Sequence, residues 1–118
     1  MKKILIAEDE EFIANLYKLN LEEHGVAVEV VPNGQAAIDS LGQSQPDLFL
    51  LDLLMPEVDG FQVLKHIQEK GWKFPIVILT NLSQEIDKTQ CKKLGAEDFL
   101  IKSDLSVEEL WEKISVYL

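Results

Sequence analysis

Cysteine is all but missing from the chain. The single one, Cys91, has no partner for an internal disulfide. That fits a reducing cytoplasm and leaves the residue as a small helix side chain on a partly buried face. Long apolar runs are missing too. Met1-Lys2-Lys3 followed by Ile4-Leu5-Ile6-Ala7 begins like a signal peptide, but the run stops at Glu8, far short of an export or membrane segment. Positive charge is scarce. Eleven basic residues face twenty-one acidic ones, a net charge of -10, which repels nucleic acid and anionic membrane surfaces and favours basic partners or divalent cations. The expectation is therefore a cytoplasmic protein without direct nucleic-acid or membrane contact.

What is present is ordinary for a folded chain. Hydrophobic residues make up 47% and charged residues 27% of 118 positions, with no linker, low-complexity tract or repeat beyond a short alternating unit. This is one domain, 1–118, large enough to bury about two-thirds of the surface its unfolded chain would expose. Short apolar runs at 3–7, 26–31, 48–51, 76–79 and 98–101 alternate with stretches of helical spacing. In the first such stretch Phe12, Leu16 and Leu19 form a stripe with Ile13 and Tyr17 beside it. Later ones pair Ala37 with Leu41, Leu64 with Ile67, and Ile86 with Leu94; the last carries Val107, Leu110, Trp111, Ile114 and Leu118. Gly25, Gly71 and Gly95 suit helix ends, and Asn33, Ser83 and Ser106 suit helix starts, Ser106 with Glu109 at capping-box spacing.

Five strand-then-helix units define an α/β domain with a parallel sheet and right-handed crossovers. The first, third and fourth strands are almost continuously apolar, as strands covered on both faces should be. Glu29 interrupts the second, and Glu97 and Asp98 open the fifth, so these two belong at the edges. The doubly wound order 2-1-3-4-5, with helices on both faces, places them there. Its ligand crevice lies beyond the carboxyl ends of the first and third strands.

Asp52 is the one carboxylate in the apolar run 48–55, and burying it ionised without a partner would cost several kcal/mol. Pro56 and Asp59-Gly60 close the run as a tight loop, leaving Asp52 at the sheet's carboxyl end. The plainer alternative is a carboxylate that merely caps the strand end. Glu8 and Asp9 end the first strand. By themselves, with Glu10 and Glu11, they equally well serve the dipole of the next helix. The topology brings them beside Asp52, where three carboxylates would raise one another's pKa values unless a cation compensates. An oxygen-rich group without Cys or His suits Mg²⁺, or Mn²⁺, better than zinc. Thr80 ends the fourth strand and Lys102 the fifth. A hydroxyl and an ammonium converging on a carboxylate–metal site are what a phosphoryl group needs. His24 and His66 lie on helices outside any motif and are read as surface residues.

Four segments taken in order carry a family resemblance: Ile6-Ala7-Glu8-Asp9-Glu10, Leu51-Asp52-Leu53-Leu54-Met55-Pro56-Glu57-Val58-Asp59-Gly60, Ile78-Leu79-Thr80, and Gly95-Ala96-Glu97-Asp98-Phe99-Leu100-Ile101-Lys102. Over essentially its whole length the chain resembles the response-regulator receiver domain of two-component phosphorelay signalling, a flavodoxin-like fold. The resemblance implies that Asp52 is the phospho-acceptor, and that Glu8, Asp9, Asp52 and the Leu54 backbone carbonyl hold Mg²⁺. It makes Thr80 and Lys102 the phosphate-sensing pair and Phe99 the aromatic switch. The implied partner is a histidine kinase or phosphotransfer protein, and the implied output is a change in the face made by the fourth helix, fifth strand and fifth helix, with a phosphorylation-dependent homodimer as one readout. Such a protein is a phosphoprotein switch that catalyses only its own phosphorylation and dephosphorylation.

Three positions depart from the family pattern. Glu8 stands where Asp is more usual, Ser103 replaces the proline after the lysine, and Asn81 follows Thr80 where a small residue is usual. Because of Ser103, the cis peptide associated with that proline is not expected. A Mg²⁺-dependent phosphohydrolase is the enzyme alternative, but the second carboxylate such enzymes place two residues after the nucleophile is here Leu54. An interaction module that no longer takes phosphate is a third reading, favoured by Asn81 and Ser103 and opposed by the intact acidic set. With the last helix expected to finish at Leu118, no output domain is expected to follow.

Overall fold

A computed structural model describes residues 1–118. The strands are β1 (Lys3–Ala7), β2 (Ala27–Val31), β3 (Leu48–Leu51), β4 (Ile76–Thr80) and β5 (Asp98–Ile101); the helices are α1 (Glu11–Glu22), α2 (Gly34–Gln43), α3 (Gly60–Lys70), α4 (Glu85–Lys93) and α5 (Val107–Ile114). Short 3₁₀ turns at Lys102–Asp104 and Ser115–Tyr117 flank α5. The sheet is parallel throughout, in the order β2-β1-β3-β4-β5, so the two strands carrying an acidic residue, Glu29 in β2 and Asp98 in β5, are its edges.

The two-residue period of each strand divides the core in two. Ile4, Ile6, Leu48, Leu50, Val77 and Leu79 face α1 and α5, where they meet Tyr17, Leu21, Leu110 and Ile114. Leu5, Ala7, Phe49, Leu51, Ile76 and Ile78 face the other way, onto Ala37, Leu41, Val63, Leu64, Ile67 and Cys91. Both faces of β3 are thus covered, and its four residues are all buried, which is why it reads as an unbroken apolar run.

Helix ends follow local chemistry at most of the expected places. Asn33 caps α2 by accepting from the Ala36 N–H, and Ser106 with Glu109 forms a complete capping box on α5. Gly71 closes α3 at φ +70°, and Gly95 follows α4 at φ +101°. Ser83 is not a cap: α4 begins two residues later, with Gln84 at its N-cap and no side-chain hydrogen bond there. The last helix turns 3₁₀ after Ile114, before Leu118.

Two apolar assignments change. On α1 the buried stripe is Ala14, Tyr17 and Leu21, whereas Phe12 (76% exposed), Leu16 and Leu19 (63% exposed) face solvent. Both stripes have helical spacing, so period alone does not choose between them; in the fold it is Tyr17 and Leu21 that pack into the core beside β1 and β3. On α4, Ile86 is exposed and Leu94 half-buried, and Cys91 is the buried anchor. Deep burial pushes the Cys91 thiol up to about 11, so it behaves as a small apolar side chain.

Candidate functional site

The parallel ladder itself assembles the site. Beyond the strand ends the pairing runs on through Glu8 N–H to Val31 O and Asp52 N–H to Ala7 O, each at 3.1 Å, so the residue after β3 sits against the end of β1. Glu8 (2% exposed), Asp52 (5%) and Thr80 are the buried polar residues of the chain, while Asp9 is exposed. Carboxylate oxygens of Glu8, Asp9 and Asp52 lie within 4.8 Å of one another.

Lys102 reaches in from the end of β5. Its ammonium donates to Asp52 Oδ2 at 2.7 Å and pairs with Glu8 Oε1. The remaining oxygens tie down the turns that follow each strand. Glu8 Oε2 accepts from the Glu10 N–H (3.1 Å), Asp52 Oδ1 from the Leu54 N–H (3.2 Å), and Thr80 Oγ1 from the Leu82 N–H (3.4 Å). One device, a side chain accepting from the amide two residues on, is thereby repeated at three adjacent strand ends.

The loop after Asp52 is shaped for close approach. A Cβ on Gly60 would fall 2.5 Å from the Asp52 carbonyl oxygen and 2.7 Å from Leu53 Cα, so only glycine lets α3 start against the segment that follows β3. Asp59 caps that start in a capping box with Gln62, a role its sequence neighbourhood shows only once the helix boundary is known. Glu57 holds φ +66°, a left-handed conformation carried by a non-glycine residue.

Charge at the site is finely divided. Burial pushes the Glu8 carboxyl above its ordinary 4.5, against the opposing pull of its hydrogen bonds with Lys102 and the Glu10 amide. Burial also pulls on Lys102, downward, but hydrogen bonds to Asp52 and Glu8 together outweigh it and hold the ammonium above its ordinary 10.5. Lys102 is thus the cation that lets buried carboxylates coexist, a pairing the sequence alone had assigned only to phosphate. The donor set is all oxygen, with a solvent-facing carboxylate at Asp9, and fits a hard divalent ion.

The structure therefore brings together Glu8, Asp9, Asp52 and Lys102, with Thr80 ending the strand next to β3. Leu54 is exposed on a cleft of about 530 Å³ that also takes in Asp9, Met55, Phe61 and Leu82. Phe99 stands apart from the carboxylates. The register Ile78↔Phe99 and Thr80↔Ile101 puts Phe99 and Thr80 on the same face of adjoining strands. The Phe99 ring is half-buried against α4, with Lys88 Nζ 6.0 Å from its centroid. His24 and His66 stay outside the site, stacked on Trp111 and edge-on to Trp72 respectively.

A buried carboxylate with two acidic neighbours and a lysine sits at the carboxyl end of a parallel sheet of order 2-1-3-4-5, and comparison with known proteins places that arrangement in a family of phosphorylation-dependent signalling domains. The response regulator receiver domain model matches residues 4–115, and the chain belongs to that family. It is 39% identical over 101 residues to the alkaline phosphatase synthesis transcriptional regulatory protein PhoP of Bacillus subtilis (strain 168), a match covering 86% of this chain and 42% of that relative. The chain thus spans less than half the length of this curated relative. Among solved structures it resembles the Vibrio cholerae chemotaxis protein CheY4 (TM-score 0.91, 26% identity, 100% of this chain and 99% of that one). It also resembles the BeF3-activated N-terminal receiver domain of Klebsiella pneumoniae RstA (TM-score 0.89, 29% identity, 98% and 97%). Receiver domains bind Mg²⁺ at an acidic pocket and interact with histidine kinases or phosphotransfer proteins; they are signalling proteins and not enzymes in the usual sense. No helix of the chain is long and apolar enough to cross a membrane.

Proposed function

We propose that residues 1–118 form one cytoplasmic receiver domain in which Asp52 accepts a phosphoryl group from a partner's phosphohistidine. The observation that carries this reading is the buried Asp52 carboxylate, held by Lys102 and within 4.8 Å of two further carboxylates. Asp52 attacks phosphorus in line; the new bond is carboxylate oxygen to phosphorus, the bond broken is phosphorus to imidazole nitrogen, and the imidazole departs. Lys102 shifts its ammonium onto a phosphoryl oxygen, and the Thr80 hydroxyl donates to another. Glu8, Asp9, Asp52 and the Leu54 backbone carbonyl are the groups that would hold Mg²⁺ or Mn²⁺, which when bound offsets the negative charge gathering on the phosphoryl oxygens. Water later cleaves the acyl phosphate and resets the switch, so the only reaction the domain catalyses is on itself.

The output is the face of α4, β5 and α5. The α4 helix has one buried anchor, Cys91, so little apolar burial holds it in a single position. Thr80 moving toward the phosphate frees space on the sheet face it shares with Phe99, and the ring turns inward. Lys88, Lys92 and Lys93 on α4 stand against Glu97, Asp98, Glu108 and Glu109, a division of charge suited to a partner or a second copy. Hydrogen exchange on free and phosphorylated protein tests this: altered exchange at 83–101 is expected, and changes confined to the loops around Asp52 would mean another surface carries the signal.

A further inference from the structure

Two departures from the family's sequence pattern meet in space. Asn81 stands where a small residue is usual and Ser103 where a proline is usual, and the Ser103 N–H donates to Asn81 Oδ1 at 3.1 Å. A proline at 103 would have no N–H to give, and a small aliphatic residue at 81 no oxygen to receive it. All peptide bonds of the chain are trans. We propose that Asn81 is a positioning residue for phosphoryl transfer: its carboxamide grips the Ser103 amide and so fixes the backbone from which Lys102 reaches Asp52 and Glu8. The inference rests on the reading of Asp52 as the phospho-acceptor.

The register explains why a grip is needed here. Pairing of β4 with β5 reaches Thr80↔Ile101, and the chain then leaves the ladder, turning 3₁₀ over Lys102–Asp104. Lys102 therefore projects its ammonium from a point just past the last paired residue. The turn closes on itself through the Leu105 N–H to Lys102 O bond, which gives no lateral hold on β4. The Asn81–Ser103 bond supplies that hold, continuing the β4–β5 pairing by one side chain. Where a proline ring would limit this backbone by restricting φ, the hydrogen bond limits it by tethering. A flexible four-carbon stem transmits any backbone drift to the ammonium, and a group misplaced by an ångström loses much of its effect on a reacting centre. Asn81 is exposed and turned to Ser103, and Leu16, Tyr17 and Val107 line the same cleft beside Lys102.

The test is a cycle of four proteins: wild type, Asn81→Ala, Ser103→Pro and the double variant, each read for the rate of phosphoryl uptake on Asp52 from acetyl phosphate with Mg²⁺, and for melting temperature. Asn81→Ala should slow uptake roughly fivefold, the effect of one lost hydrogen bond, and should add nothing in the Ser103→Pro background. Asn81→Leu, which keeps the bulk and loses the acceptor, should slow uptake like Asn81→Ala. Equal effects in both backgrounds, an unchanged rate in Asn81→Ala, or a normal rate in Asn81→Leu would overturn the proposal. Nuclear magnetic resonance of the Lys102 ammonium gives a readout independent of turnover. Broadening in Asn81→Ala, with faster exchange of the Ser103 amide, is expected; an unmoved Lys102 signal would overturn the positioning role. If the wild type takes up no phosphoryl group, the reading of Asp52 fails, and the Lys102 signal alone decides the role of Asn81.

Discussion

Lys102 and Asp52, fifty positions apart, share a 2.7 Å hydrogen bond, and the same ammonium also answers Glu8. One cation thus serves two buried carboxylates in the free chain. Removing a single partner from such a buried pair typically costs about 3 kcal/mol or more, because the other charge is left unanswered. Lys102→Met should therefore destabilise the fold by roughly that amount, a loss larger than expected of a lysine at a strand end.

The same cluster sets a pH dependence. Glu8 in the folded chain holds its proton more tightly than its ordinary 4.5 allows, because of burial. Above that value the folded form binds more protons than the unfolded one, so this group makes stability fall as pH rises from 4.5 through its folded pKa. Lys102 works at the other end. Its raised pKa contributes stability below 10.5 that is lost as pH rises through the folded value. Urea unfolding without Mg²⁺ should show Glu8→Gln flattening the acid-side decline and Lys102→Met removing the alkaline one. Parallel curves for Glu8→Gln and wild type would refute the assignment to Glu8.

A divalent cation should stabilise the chain through Asp9. The residue is exposed, so Asp9→Ala removes a carboxylate without opening the core. Mg²⁺ at a hundred times its Kd should add about 2.7 kcal/mol to wild-type stability by mass action. Thermal melts with and without Mg²⁺ should show a shift in wild type that disappears in Asp9→Ala. An equal shift in both would remove the metal site from the account.

Phe12, Leu16 and Leu19 offer an uncovered apolar stripe on α1, and Leu16 borders the cleft that contains Lys102. If Asp52 takes its phosphoryl group from a partner's phosphohistidine, as proposed, this stripe is an apolar surface beside the site on which that partner would rest. Replacing Phe12 and Leu16 together with Ala should slow transfer from a partner kinase about tenfold, the effect of roughly 1.4 kcal/mol of lost contact, while uptake from a small phosphodonor stays unchanged. Equal slowing with both donors would point to a damaged site and not to a docking surface.

The fold was legible because its signals were redundant. Apolar runs gave the strands, Glu29 and Asp98 marked the edges, and Gly71, Asn33 and Ser106 set boundaries by chemistry that acts within a few residues. Asp52, Glu8, Thr80 and Lys102 could be placed at neighbouring strand ends from topology alone. What could not be read depends on contacts between segments. The inward stripe of α1 is settled only by the packing of Tyr17 and Leu21 against the sheet, since two stripes have the same period. Ile86 looked like an anchor until the short α4 helix packed through Cys91. Lys102 looked like a phosphate ligand, and only the assembled site reveals its hold on Glu8. Asn81 and Ser103 each looked like a flaw; their compensation exists only across the β4–β5 boundary.

The central claim, that Asp52 receives the phosphoryl group, is tested most directly by intact mass. Wild type incubated with acetyl phosphate and Mg²⁺ should gain the mass of one phosphoryl group and lose it again on standing. Asp52→Asn, which keeps the side-chain shape and cannot form an acyl phosphate, should gain none. A phosphoryl group carried by Asp52→Asn, or a wild type that never acquires one, would contradict the account.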